Sequence, residues 1–170
     1  MNNKELLNYL LLFLICILMQ VLIFNSISLF NVAFPIIFIY FIIRLPISLR
    51  LSILFTLSFI IGLIVDIFSD TPGVNALSCI LIAALKRPIY YAYVDRDDHT
   101  ETLVPSVASI GFAQYSKFLI SFVTIYCILT FTIEYFSFTN VETLVEIVLS
   151  SSILSFIILL AVDCLILSKK

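Results

Sequence analysis

Charge is what this sequence has least of. Only 12% of its 170 residues are Asp, Glu, Lys or Arg, against roughly 25% in an ordinary soluble domain. The nine Lys and Arg are scattered rather than gathered on one face, which excludes the basic surface that nucleic-acid binding needs. Histidine occurs once, at His99, in an acidic hydrophilic stretch. A metalloprotease His-Glu-x-x-His, a Gly-x-Ser-x-Gly elbow and a Walker motif are all missing. Their absence removes the usual apparatus for metal-assisted hydrolysis, acyl transfer and ATP-driven work. The four cysteines, Cys16, Cys79, Cys127 and Cys164, each fall in an apolar run. Their spacing fits neither a zinc site nor a disulfide scaffold, so they read as small apolar fillers. No catalytic residue, cofactor site or metal site is expected.

What is present is hydrophobic surface. Apolar residues make up 62% of the chain and its mean hydropathy is +1.21. A chain this short has too much surface for its volume to hide so much Leu, Ile and Phe from water. The composition therefore predicts an all-α integral membrane protein with a single membrane domain over residues 1–170. A helix needs about 20 residues to cross about 30 Å of hydrocarbon. Segments 6–24, 49–68, 118–136 and 147–167 meet that length. The first is too long for a signal peptide core and lacks a cleavage site after it, so it reads as an uncleaved helix.

Two further segments are weaker. Segment 27–43 carries Pro35, tolerable if it falls in the first helical turns. Segment 74–94 is interrupted by Lys86, Arg87 and Pro88. That triplet reads as the inner end of a span, with both cations snorkelling to the head groups and Pro88 kinking or ending the helix. Tyr90, Tyr91 and Tyr93 then sit at the interface. A tilted or re-entrant element is the alternative for this segment.

Six spans with both termini in the cytoplasm place all nine Lys and Arg on the inner side, as short cytoplasmic loops favour. A five-span arrangement scatters them. The longest inner loop, 95–116, has an acidic polar half and a mildly apolar half. The latter lies along the membrane surface or meets a soluble partner.

The polar residues inside these spans are the candidate sites. Ser58, Gly62 and Asp66 recur every four residues and share one helix face. Ser58 and Gly62 make a small patch that admits a neighbouring helix. Asp66 then stands where the N–H groups of residues 73–76 open the next helix. It either pins that hairpin or contacts a partner or ligand, and the two roles are compatible. Tyr126, Thr130 and Glu134 share another face, as do Ser151, Ser155 and Asp163. Asp66 and Glu134 are placed to meet near the outer side. Asp163, at the inner end of the last span, is expected near the head groups.

The stretch from Gly62 to Ser78 resembles MreD, the small membrane subunit of the bacterial elongasome. That family shows Gly-x-x-x-Asp at the end of a span, filled here by Gly62 and Asp66. A short loop with Gly73 follows, then Asn75, Ala76 and Leu77 entering the next span. Arg87-Pro88 looks like the Arg-Pro that closes that helix in the family, with Lys86 as an added charge. The motif covers residues 62–88; the other spans match in hydrophobicity alone.

The resemblance implies a compact bundle of six transmembrane helices, similar to the S components of vitamin transporters, in the bacterial inner membrane. It implies a non-catalytic scaffold of peptidoglycan elongation and cell shape. Such a scaffold binds an MreC-like protein and helps couple MreB indirectly to RodA and its transpeptidase partner, with membrane lipid around it. Two other readings stand beside it. A true S component would bind a small vitamin in a polar, aromatic-lined outer cavity. An ion-coupled carrier would pair acids at mid-depth.

Overall fold

The computed structural model describes residues 3–24, 34–94, 104–134 and 141–168. Among them every regular element is helical. Helix α1 runs Asn3–Met19 and passes into a π-helical turn over Gln20–Phe24. Then come α2 (Ile39–Arg44), α3 (Leu51–Ser69), α4 (Val74–Tyr91), the single turn α5 (Val107–Ile110), α6 (Phe112–Glu134) and α7 (Val141–Ser168).

Among the described residues, three stretches are long and apolar enough to cross a membrane: Leu51–Ser69, Phe112–Glu134 and Glu142–Ile166, with mean hydropathies of 2.5, 1.8 and 2.4. Leu7–Leu22 is apolar but shorter. Helix α4 has 18 residues, with Asn75, Lys86 and Arg87 diluting its apolar character. The outward faces suit lipid rather than water. Leu7, Leu11 and Leu14 on α1, Phe59 and Ile67 on α3, and Leu149, Ile153 and Ile157 on α7 are all exposed. Contiguous apolar surface of this kind is costly in water and costs nothing in hydrocarbon.

The interior is packed with aromatics and aliphatics. Phe38, Leu54, Ile61, Tyr115, Phe118, Phe122 and Tyr126 are almost fully enclosed. Edge-to-face contacts join Phe38 to Tyr126 and Tyr90 to Phe118, with ring centroids 5.8 Å apart in both pairs. Such offset geometry sets the positive edge of one ring on the negative face of the other.

The structure corrects segment 27–43 as far as it is described. Pro35 is not in the first turns of a helix: residues 34–37 have no regular structure, Phe38 is in a turn, and only Ile39–Arg44 is helical. Proline explains the break. It has no N–H to give, and it drives the residue before it, Phe34, away from helical backbone. Residues 25–33 lie outside the described part. Segment 74–94 departs the other way: α4 is continuous from Val74 to Tyr91 and carries Pro88 inside it, neither broken nor ended there. Helix α6 begins at Phe112, six residues ahead of the expected start at 118, because Gly111 closes the turn of α5 and a new helix opens at once. Residues 95–103, with His99, fall outside the described part.

The broken segment is buried, so its backbone needs partners. The N–H groups of Phe34 and Ile36 donate to the hydroxyls of Ser151 and Ser155, at 2.9 and 2.8 Å. The match is geometric. Two residues of extended chain advance about 6.6 Å, and four residues of helix advance about 6 Å. Pro35, between them, has only a carbonyl to satisfy, and Gln20 Nε2 donates to it at 3.2 Å. Gln20 Oε1 accepts the N–H of Ile37 at 2.8 Å.

Candidate functional site

The α3–α4 hairpin holds most of the residues singled out by the sequence. Gly62 lies where the two helices touch. A Cβ there would sit 2.6 Å from the Cα of Ala76 and 2.7 Å from the carbonyl oxygen of Asn75. Only glycine lets the backbones approach so closely. Ser58, one turn away, is fully buried at the same seam, and its hydroxyl has no hydrogen-bond partner among the described residues. Its contribution is small size.

Asp66 follows on that face and is 3% exposed. Its Oδ1 accepts from Thr71 Oγ1 at 3.0 Å, from the N–H of Asn75 at 2.9 Å and from Asn75 Nδ2 at 3.0 Å. Its Oδ2 accepts the N–H of Ala76 at 2.9 Å. These are the second and third helical positions of α4, whose N-cap Gly73 has no side chain to offer. The carboxylate therefore caps α4 from the preceding helix, and its charge faces the positive end of that helix. The turn between them needs left-handed backbone at Asp70 (φ 57°) and Gly73 (φ 83°). Asn75 Oδ1 in turn accepts from Tyr126 Oη at 2.8 Å, tying α6 to the hairpin.

With its oxygens occupied by these donors, the Asp66 carboxylate acts as a fastener. Beside it, Leu77 is 47% exposed, and Asp70, Pro72 and Gly73 at the tip are exposed. Glu134 does not join this cluster. It is exposed at the end of α6, while Tyr126 and Thr130 on the turns before it are buried.

A second cluster occupies the other end of the bundle. Asp163 is 2% exposed, enclosed by the protein. Its Oδ1 accepts from Tyr40 Oη at 2.7 Å and pairs with Arg44 Nη1 at 3.2 Å, and its Oδ2 accepts the N–H of Val107 at 2.8 Å. The carboxylate is buried because α2, through Tyr40 and Arg44, and α5, through Val107, deliver donors to it. Arg44 also lies over the ring of Tyr40, 5.8 Å from its centroid.

Lys86 turns into the bundle, and Arg87 beside it is half-buried. Lys86 is 1% exposed and donates from Nζ to the carbonyls of Ile42 and Leu45. Arg87 donates to the carbonyls of Ile47 and Leu49, at 3.1 and 2.8 Å. Pro88, the next residue, is exposed. These carbonyls belong to the end of α2 and the turn after it, where helical partners run out. The sequence reading passed over Gln20, Tyr40 and Arg44 as site residues. Their signal was there: each is a lone polar group in or beside an apolar run, and such groups seek a partner inside the bundle.

Comparison with family models, with curated proteins and with solved structures finds no match to this chain.

Proposed function

We propose that this chain is a multi-pass membrane scaffold of the MreD kind. In this reading it crosses the bacterial inner membrane six times, with both termini in the cytoplasm. It performs no chemistry, binds an MreC-like partner, and through it helps link MreB to RodA and its transpeptidase partner. The carrying observation is the α3–α4 hairpin. The residues on which the resemblance rests, Gly62, Asp66, Asn75 and Ala76, are the ones that weld it into a rigid unit with an exposed tip. A fixed tip on a rigid stem suits holding a protein partner, because little ordering remains to be done on binding.

The proposed orientation has its own support. Arg44, Lys86 and Arg87 converge on the turn between α2 and α3, and Arg50 stands at the start of α3. Lys117 lies just beyond α5, whose first N–H is held by Asp163 beside Arg44. Cations gathered at the end opposite the hairpin tip support the reading in which that end is cytoplasmic.

The test is extraction of the tagged chain from its native membrane in mild detergent. An MreC-like protein with a single membrane span is expected to co-purify, and the Asp66→Asn variant is expected to retain less of it. Recovery of the chain without a protein partner, carrying a stoichiometric vitamin, would establish the S-component reading instead.

A further inference from the structure

Lys86 is the most deeply buried cationic side chain among the described residues, at 1% exposure. Among the same residues no carboxylate lies within ion-pair distance of it; the pair formed there is Arg44 with Asp163. Its partners are the backbone carbonyls of Ile42 and Leu45. Ile42 O also accepts the N–H of Leu45, at 3.4 Å, so the chain folds both oxygens toward one point. Leu45 has left the helix for extended backbone, which turns its carbonyl out of the helical ladder. Converging carbonyls at the negative end of a helical segment are an arrangement that holds small cations.

We infer that Ile42 O and Leu45 O form a cradle for a monovalent cation, and that the Lys86 ammonium is a tethered occupant of it. The class of free ligand that fits is a primary alkylammonium, which has both the charge and the N–H donors. The occupant fixes the end of α2. That segment is preceded by irregular chain and lacks a backbone ladder to a neighbour, so its position rests on side-chain donors and acceptors. This inference concerns the inner end of the bundle and does not depend on the scaffold reading.

The test uses the full chain in detergent micelles. Lys86→Ala removes a fragment equivalent to n-propylammonium. The variant is expected to melt below the wild type, with n-propylammonium chloride restoring most of the lost melting temperature. Neither n-propanol, which has the shape without the charge, nor tetramethylammonium, which has the charge without N–H donors, should do so. Wild-type protein should respond to none of them. Equal recovery with n-propanol or tetramethylammonium, or no recovery at all, overturns the inference. If Lys86→Ala does not fold, Lys86→Met decides, because it keeps apolar length without charge. Melting of that variant at or above the wild-type temperature is contrary to the inference, and melting below it agrees.

If neither variant folds, wild-type protein labelled with nitrogen-15 at lysine supplies the answer. A buried NH₃⁺ with slowly exchanging protons coupled to two carbonyls supports the cradle. A neutral amine, or fast exchange, rules it out.

Discussion

Gly62 and Asp66 work on the same seam by different physics. Gly62 permits the approach of α3 and α4, and Asp66 satisfies the N–H groups that this approach would leave buried. Gly62→Ala should therefore cost about 1–3 kcal/mol, since overpacking a backbone contact forces the helices apart. Its melting curve in detergent is the check, with Leu63→Ala on the exposed face as a control that should move little. Asp66→Asn and Asp163→Asn should each cost about 1–3 kcal/mol, because an amide replaces an acceptor oxygen with a donor that faces other donors. The two variants should melt at similarly lowered temperatures. Both carboxylates are nearly fully enclosed, although an inner-end position alone suggests that Asp163 is wet. That suggestion fails because Tyr40, Arg44 and Val107 converge on Asp163 from distant parts of the chain. Local spacing carries no signal of such a meeting. The Asp66 cluster, by contrast, lies within ten residues of sequence, and its geometry was legible from the turn chemistry of residues 69–76.

Among the elements, the hydrophobic runs overlap α1, α3, α6 and α7, because a long apolar run favours a helix that can face lipid, but α6 and α7 each begin six residues ahead of the expected starts at 118 and 147. They failed for α2. A run from Ile36 to Ile43 looks like the body of a span, yet it divides into irregular chain and a short buried helix. The cause is a partnership that cannot be read locally: hydroxyls on α7 and the amide of Gln20, in the π-helical turn after α1, replace the helical ladder. Removing those hydroxyls tests this directly. The double variant Ser151→Ala, Ser155→Ala should lose about 2 kcal/mol or more, since two buried N–H groups are left without acceptors. Hydrogen exchange at Phe34 and Ile36 should accelerate together. Ser116→Ala, whose hydroxyl bonds only a carbonyl of its own helix, should change neither readout. Helix α4 failed in the opposite sense. Lys86 and Arg87 look like a terminus because charge is costly in hydrocarbon, but the carbonyls of residues 42–49 give hydrogen-bond partners to a buried Lys86 and a half-buried Arg87.

The described part of the molecule sets its charged groups at two ends. One carries the Asp66 hairpin, and the other carries the cations with Asp163. Between them lies an apolar belt whose outward face suits lipid. That polarity underlies both the proposed orientation and the proposed role of the hairpin tip. It is read most simply at the two ends of α3. In a chain freed of its native cysteines, Pro72→Cys marks the hairpin tip and Ser48→Cys marks the basic turn, both at exposed positions. A maleimide that cannot cross the membrane, applied to the periplasmic face of spheroplasts, should modify the cysteine at 72 and leave that at 48 untouched. Inverted vesicles should give the reverse. Modification of both positions from the same side would contradict a membrane-crossing α3, and modification of 48 alone in spheroplasts would turn the whole arrangement over.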